Sequence, residues 1–280
     1  MNVVARFLAV MFLLWAGGTV FAAEGDKEFE PTVGQAGKDV VWVPTPPVLV
    51  EKMLDIAKVT AKDFVMDLGS GDGRNIIAAA KRGARARGVE FNPDMVALSR
   101  RNAERAGVGD KAEFVQGDMY VADVSEASVL AIFLLPENMD KLVKNFLAMR
   151  PGSRIVSNQF SATGWEADES GRAEGECGSW CNWLLWYVPA QAAGRWRMQG
   201  GELLLEQKFQ MLTGVYTVDG VEHAVQKGRL RGNQITFTAG GKDYSGRVGD
   251  DAMVGNGWNA TKIKRSEEHT SELQSLAYLV

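Results

Sequence analysis

The stretch FVMDLGSGDGR, residues 64–74, decides the fold of this chain. Its first half, Phe64–Leu68, is a short apolar run of the kind that forms a central strand of a parallel sheet. Three glycines follow at alternate positions, and they let the backbone turn sharply and let a ligand approach the main chain closely. Residues 75–81 then have helix-forming composition. The free N–H groups at the start of that helix favour a ligand above the loop.

Two acidic residues stand at the ends of the next two predicted strands. Glu90 ends the strand over residues 84–89 and lies 17 residues after Gly73. That distance is near the offset of about 20 at which an acid binds ribose hydroxyls in dinucleotide folds. Asp118 ends the third predicted strand, which begins at Phe114. Together, the loop and the two acids indicate a site for a nucleoside at the carboxyl edge of a parallel sheet.

This combination resembles the class I S-adenosylmethionine-dependent methyltransferases over about residues 41–160. The resemblance implies that the glycine loop contacts the methionine part of the cofactor and that Glu90 binds both ribose hydroxyls. It also implies that Asp118 binds the adenine amino group, and that Asp67 orders the loop and the amino end of the cofactor. The cofactor-binding residues that it implies are Asp67, Gly69, Ser70, Gly71, Gly73, Glu90, Phe91, Asp118 and Met119. It names no catalytic residue and no metal ligand.

The run VWVPTPP, residues 41–47, narrows the resemblance. It is similar to a branch that includes the mitochondrial lysine methyltransferases of the ATP synthase c-ring protein and bacterial relatives, which implies a lysine acceptor. Thr45 is predicted to cap a helix that begins near Pro46 or Pro47. After the fourth strand, residues 134–137 read LLPE instead of the Asn/Asp-Pro-Pro-aromatic pattern of many methyltransferases. That departure argues against methylation of DNA base amino groups.

The alternation of strands and helices over residues 40–160 predicts an α/β fold, a doubly wound and mostly parallel sheet with helices on both faces. Residues 161–179 are rich in Glu, Gly, Ser and Ala and are interpreted as a linker. Short alternating runs separated by turns then predict a small antiparallel β domain or partial barrel over residues 180–264. The aromatic residues from Trp180 to Trp196 are expected in the core of this domain and at its seam.

The two ends of the chain are set apart. Residues 1–22 have the positive start, short apolar stretch and small-residue cleavage site of a signal peptide, with an uncleaved membrane anchor as the alternative. We therefore expect an exported protein, periplasmic or secreted, with no stable membrane span after cleavage. Residues 23–39 are polar and are expected to form a loose arm. Residues 265–280 are interpreted as a sequencing-adapter artefact, because Arg265–Ser275 can be back-translated to the sequence of a common library adapter.

Composition excludes several classes of function. The formal net charge is −4 and no basic stripe appears, so we expect no nucleic-acid partner. Outside the suspect tail the only histidine is His223, which argues against a histidine triad or a histidine-rich metal site. Cys177 and Cys181 are four residues apart, and both a local disulfide and two free thiols are open to them.

The function expected from these observations is methyl transfer from S-adenosylmethionine to an unknown acceptor, with a protein lysine as the narrower hypothesis. The expected partners are S-adenosylmethionine and a protein substrate. A small-molecule methyltransferase is one alternative, and an exported module that binds the cofactor or a nucleoside without turnover is another. A nicotinamide-dependent oxidoreductase is disfavoured, because Asp118 and the close glycine spacing suit a nucleoside joined to an amino acid.

Overall fold

A computed structural model describes residues 29–264. The predicted signal peptide and the predicted adapter tail therefore lie outside the described residues. The described chain folds into two sheets, one of seven strands and one of nine. None of its helices has the length and apolar character needed to cross a membrane.

The first sheet consists of β1 (Phe64–Leu68), β2 (Arg85–Glu90), β3 (Ala112–Gln116), β4 (Val129–Ile132), β5 (Arg154–Asn158), β6 (Glu169–Arg172) and β7 (Asn182–Tyr187). The strands lie in the order β3-β2-β1-β4-β5-β7-β6. Strands β1 to β5 are parallel, β7 is antiparallel to β5, and β6 is antiparallel to β7. The prediction of a doubly wound, mostly parallel sheet is confirmed.

Four helices cover the two faces of this sheet: α1 (Pro47–Ile56), α2 (Arg74–Lys81), α3 (Pro93–Arg105) and α4 (Pro136–Leu147). Apolar side chains of α1, α2 and α3 form one core layer, and those of α4 form the other. Along β1, Val65 points into the first layer and Met66 into the second. Because both faces are covered, every residue of β1 is buried, as a central strand of a parallel sheet requires, and this burial includes the charged side chain of Asp67.

The predicted cap of α1 is wrong. The helix is preceded by Pro46, and no side chain caps it. Thr45 is buried, and its carbonyl oxygen accepts a hydrogen bond of 2.8 Å from Nη1 of Arg74. With prolines at positions 46 and 47 there is one N–H fewer to satisfy at this helix start, so a side-chain cap has less to contribute.

The first sheet continues past residue 160, where its sequence pattern ended. Strand β6 lies inside the predicted linker, and β7 carries Trp183 and Trp186, which we expected in the second domain. An edge strand as short and polar as β6 has no apolar periodicity to reveal it. The boundary therefore falls between β7 and Gly194, where the next strand begins.

The second sheet consists of β8 (Gly194–Met198), β9 (Gly201–Lys208), β10 (Met211–Val218), β11 (Val221–Ala224), β12 (Gln226–Arg231), β13 (Gln234–Ala239), β14 (Lys242–Val248), β15 (Ala252–Gly255) and β16 (Trp258–Lys262). All neighbours are antiparallel. Strand β10 pairs with both β9 and β12, which closes eight strands into a barrel and leaves β11 outside. Aromatic side chains, including Trp196 and Phe237, fill the interior.

The barrel packs against the end of the first sheet that carries β6. The ring of Trp165 stacks on that of Phe209 with centroids 5.0 Å apart. Nearby, Arg229 of the barrel donates a 2.8 Å hydrogen bond to the buried carboxylate of Asp168. The opposite end of the sheet, with β1 to β3, is left for the predicted site.

Candidate active site at the carboxyl edge of the first sheet

The glycine loop between β1 and α2 turns through left-handed backbone conformations. The φ angles of Gly71 and Gly73 are +55° and +84°. A Cβ on Gly71 would lie 2.7 Å from Nε1 of Trp42, and one on Gly73 would lie 2.6 Å from Cζ of Phe114. Neither space accepts a side chain, so these two glycines are required by packing as well as by φ.

Glu90 braces this loop from the end of β2. Its Oε2 accepts the N–H of Gly71 at 2.9 Å, and its Oε1 accepts the N–H of Asn92 at 2.9 Å. The carboxylate is thereby fixed in one orientation. Each oxygen keeps a further lone pair, and two such acceptors side by side suit the paired hydroxyls of a ribose.

Asp118 lies beyond β3 and forms an ion pair with Lys38. Nζ of Lys38 is 2.7 Å from Oδ2, and the N–H of Tyr120 donates to Oδ1 at 2.9 Å. The hydrogen bond from Lys38 is the main reason that the pKa of Asp118 lies below its usual value. The same ammonium group stands 4.9 Å above the ring of Phe91. The charged side chain of Lys38 thus attaches the N-terminal segment to two predicted site residues, Asp118 and Phe91.

That N-terminal segment forms a hairpin over the site. Ala36 pairs with Val41, the N–H of Gly34 donates to the carbonyl of Trp42, and the N–H of Trp42 donates to the carbonyl of Gln35, each at 2.9 Å. Residues 29–39 were expected to belong to a loose arm. Their polar composition concealed the contacts that hold them, above all the indole of Trp42 against the glycine loop. We call residues 34–43 the hairpin lid.

The hairpin lid covers a hollow of about 700 Å³, a volume that includes the space at its open mouth. The predicted site residues that line it are Gly69, Glu90, Phe91, Asp118 and Met119. A smaller adjoining hollow is lined by Asp67, Gly69, Ser70 and Gly71, with Phe133 shared between the two. Gly73 lines neither hollow and instead packs against Phe114. The structure thus brings eight of the nine predicted residues to one continuous site.

Asp67 has an unusual environment in the smaller hollow. Its carboxylate is buried, Oδ2 accepts from Nδ2 of Asn75 at 3.0 Å, and Oδ1 has no hydrogen-bond partner among the described residues. Burial raises the pKa of Asp67 well above its usual value. The hydroxyl of Ser70 is also buried without a described partner. An orphaned carboxylate oxygen beside a glycine loop fits a cationic group on a bound ligand.

Phe133, which lines both hollows, belongs to a cluster of three aromatic residues that the sequence did not predict. Phe133 follows β4, Phe160 follows β5, and Trp180 precedes β7, and all three rings are half-buried. Their centroids are 5.4 to 6.2 Å apart in all three pairs. A disulfide between Cys177 and Cys181, with Cα atoms 5.2 Å apart, closes the turn that carries Trp180. We call Phe133, Phe160 and Trp180 the aromatic triad.

Comparison with known proteins agrees with this geometry. The model of the ANTKMT methyltransferase domain matches residues 67–169. The protein-lysine N-methyltransferase of Saccharolobus islandicus is 43% identical over 134 residues, which cover 46% of this chain and 83% of the relative. This chain belongs to the class I S-adenosylmethionine-dependent methyltransferases. A crystal structure of an RNA methyltransferase from Salinibacter ruber with S-adenosylhomocysteine is 42% identical, with a TM-score of 0.50, and the match covers 53% of this chain and 95% of that one.

The match to longer relatives of the methyltransferase is partial. The mouse lysine N-methyltransferase that acts on the c-ring protein of ATP synthase is 39% identical over 107 residues, which are 38% of this chain and 43% of the relative. The chain therefore spans less than half of that relative, and the barrel lies outside the matched family domain.

The residues of the site fit the cofactor of this family, S-adenosylmethionine. The cofactor carries a cationic amino group, two ribose hydroxyls and an adenine amino group. The methyltransferase offers the orphaned Oδ1 of Asp67, the fixed carboxylate of Glu90 and the carboxylate of Asp118. No cluster of three metal-ligating side chains occurs within residues 29–264.

Proposed function

We propose that this methyltransferase modifies the ε-amino group of a lysine side chain in a protein. The similarity to the Saccharolobus islandicus protein-lysine N-methyltransferase, which matches over 83% of its length, is the observation that carries this proposal. Local charge supports it, because Glu174 and Glu176 are exposed in the same turn as Trp180. Negative charge near Trp180 attracts a lysine and repels the phosphates of a nucleic acid.

The proposal assigns a role to each part of the site. Glu90 would hold the ribose hydroxyls, Asp118 the adenine amino group, and Asp67 the amino group of the methionine part. Gly71 would let the backbone approach that part closely, and the indole of Trp42 would shield it from water. When bound, S-adenosylmethionine supplies a methyl group on a cationic sulfur. The lone pair of the acceptor nitrogen forms the new bond to the methyl carbon, and the sulfur keeps the electron pair of the carbon–sulfur bond that breaks.

The remaining work of the protein is positioning. Alignment of two reactants in a site that excludes water supplies a large share of the rate in such reactions. The lysine amine must be neutral when it attacks the methyl carbon, and bulk water at the open mouth accepts the proton that it loses beforehand. The described site therefore needs no histidine base, which agrees with the position of His223 in the barrel domain.

The test is the chemical identity of the labelled product. Purified protein is incubated with S-adenosylmethionine carrying a radiolabelled methyl group, in separate reactions with poly-L-lysine, poly-L-arginine, total RNA and a cell-envelope extract. Hydrolysis and chromatography then identify the methylated group. We expect N-methyl-lysine from poly-L-lysine and from the extract. Label confined to RNA or to small molecules would contradict the lysine acceptor, and binding of S-adenosylhomocysteine with no transfer at all would favour a binding module.

We also propose that the protein acts outside the cytoplasm. The disulfide between Cys177 and Cys181 supports this location, since such bonds persist in oxidising compartments. The signal-like residues 1–22 support it independently. Fractionation of cells that express the full chain should recover it in the envelope or periplasm with no free thiols. Recovery in the cytoplasm with two thiols that react with maleimide would contradict the proposal.

A further inference from the structure

The end of β5 carries a buried amide that the roles above leave unused. Asn158 is completely buried, yet neither Oδ1 nor Nδ2 has a hydrogen-bond partner among the described residues. An unpaired buried amide is costly, and native proteins keep few of them. Opposite Asn158 on β7 stands Trp183, whose indole N–H is also buried and has no partner in the described part of the chain.

The backbone directly after Asn158 is strained. The N–H of Phe160 donates to the carbonyl of Asn158 at 2.8 Å, which makes a three-residue turn around Gln159. The φ angle of Gln159 is +69°, in the left-handed region. Tight turns of this hand are rare, and strained residues of this kind cluster at functional sites. This turn sets the amide of Asn158 and the ring of Phe160 at the same strand end.

The strand register places Asn158 beside the reaction site. Ile132, the last residue of β4, pairs with Ser157 of β5, so Phe133 and Asn158 are the next residues along the two neighbouring chain segments. Phe133 lines both hollows of the cofactor site and belongs to the aromatic triad. The unpaired amide therefore lies next to the aromatic residues, and only β4 separates β5 from β1, which the glycine loop follows.

We infer that Asn158 and the aromatic triad form the acceptor-lysine subsite, with Oδ1 of Asn158 accepting a hydrogen bond from the ε-nitrogen. This inference rests on the proposed lysine acceptor. The aliphatic stem of the lysine packs along the half-buried rings of the triad, and the aromatic faces attract its cationic form as it enters. The amide oxygen then holds one N–H, which turns the nitrogen lone pair toward the methyl group. Asn158 takes no proton, and the proton released by the amine passes to water.

The disulfide gives the subsite a fixed wall. Trp180 lies between the two cysteines, and its backbone N–H donates to the carbonyl of Cys177 at 3.0 Å. The turn also packs against the first turn of α1, where Cγ2 of Val48 is 3.4 Å from the position of a Cβ on Gly175. A short cross-linked turn loses little entropy when a substrate binds, so the indole is held ready for the acceptor.

The decisive variant is Asn158→Leu, which keeps the shape of the side chain and removes its polar atoms. Because the amide has no partner among the described residues, we expect the melting temperature to be unchanged or higher. We expect S-adenosylhomocysteine to bind with unchanged affinity by calorimetry. Methyl transfer to poly-L-lysine should fall at least about tenfold, the loss of one hydrogen bond to a charged or ionising group. Asn158→Asp, which keeps an acceptor oxygen, should retain more activity than Asn158→Leu.

Further variants test whether the ring of Trp180 contacts the lysine or only supports the fold. Trp180→Ala should raise the KM for poly-L-lysine by about fivefold, while Trp180→Phe, which keeps an aromatic face, should stay near the wild type. Asn259→Leu on the exposed surface of β16 is the matched control and should change neither binding nor transfer.

The outcomes are distinguishable. A wild-type protein that binds S-adenosylhomocysteine but labels no lysine overturns the lysine acceptor and, with it, this subsite. A wild-type protein that labels lysine while Asn158→Leu does so at the same rate overturns the subsite alone. A marked fall in the melting temperature of Asn158→Leu shows a structural amide and also overturns it.

Discussion

The two halves of the sheet edge differ in how their residues are arranged along the chain. In the half formed by β1 to β3, a glycine loop and two acids follow successive strands, and most of their polar atoms have partners within the protein. In the half formed by β4, β5 and β7, three aromatic rings and one unpaired amide come from distant segments of the described chain. The first half has the character of a cofactor site shared by a family. The second has the character of a site shaped for one class of acceptor.

Among the variants that test this difference between the two halves, Glu90→Ala in the cofactor half is expected to cause the largest loss of cofactor affinity. It removes two acceptors for the ribose and also releases the N–H groups of Gly71 and Asn92. With about 1.5–3 kcal/mol for each bond to a charged group, the affinity for S-adenosylhomocysteine should fall at least about 100-fold. Calorimetry measures this loss of affinity. Glu113→Ala, on the exposed side of β3, is the matched control and should bind like the wild type; equal affinity of Glu90→Ala would remove Glu90 from the site.

A smaller but pH-dependent effect is expected from Asp67→Asn. Burial raises the pKa of Asp67 in the free protein, whereas a bound cationic amino group favours its ionised form and lowers that pKa. Binding therefore releases a proton, so wild-type affinity should rise with pH up to the free-protein pKa and level off above it.

Asp67→Asn should lose about 10-fold to 100-fold in affinity above that pKa and show a flatter profile. Titrations of S-adenosylhomocysteine across a pH series measure both features. A wild-type affinity that falls as pH rises through this range would show that Asp67 does not meet the amino group.

Gly71→Ala tests the contact between the loop and the hairpin lid. A Cβ there meets Nε1 of Trp42 at 2.7 Å, whereas a Cβ on Gly107 at φ +70° meets nothing within 4 Å. Both substitutions carry the cost of a left-handed alanine, about 1–2 kcal/mol of unfolding free energy. Only Gly71→Ala should also weaken cofactor binding, by about 10-fold, with partial recovery when Trp42→Ala is added. Equal affinities of the two alanine variants for S-adenosylhomocysteine would show that the contact between the glycine loop and the hairpin lid does not affect cofactor binding.

The smallest effect is expected from Lys38→Ala. The pair with Asp118 is partly exposed, and exposed ion pairs contribute little to stability and are screened by salt. Affinity for S-adenosylhomocysteine should change less than about fivefold, and the difference from the wild type should shrink from about 20 mM to about 500 mM salt. A loss as large as that of Glu90→Ala would mean that Lys38 contacts the cofactor directly.

Much of the cofactor half could be predicted because its signals are local. The strand, the turn and the helix start lie within residues 64–81. Glu90 is the last residue of β2, and Asp118 follows β3 by two residues. The rules that join parallel strands through helices then bring those strand ends together without any further information. The part of the hairpin lid before residue 40 was predicted to be a loose arm, because its polar composition does not reveal the backbone pairs and the ion pair of Lys38 that hold it.

The acceptor half could not be predicted because its geometry depends on the register of antiparallel strands. Asn158 meets Trp183 only through the pairing of β5 with β7, and β7 is separated from β5 by a polar segment without helical or strand periodicity. A single asparagine at a strand end does not form a recognisable sequence motif. The cysteine pair was the one available signal, since a four-residue spacing around Trp180 indicates a fixed aromatic turn once a disulfide is assumed.

The most direct test of this division is a parallel measurement on Glu90→Ala and Asn158→Leu, each titrated with S-adenosylhomocysteine and each assayed for methyl transfer to poly-L-lysine at saturating cofactor. We predict that Glu90→Ala loses binding, whereas Asn158→Leu binds like the wild type and loses transfer. Equal losses of binding in the two variants, or wild-type transfer by Asn158→Leu, would contradict a sheet edge divided between cofactor and acceptor.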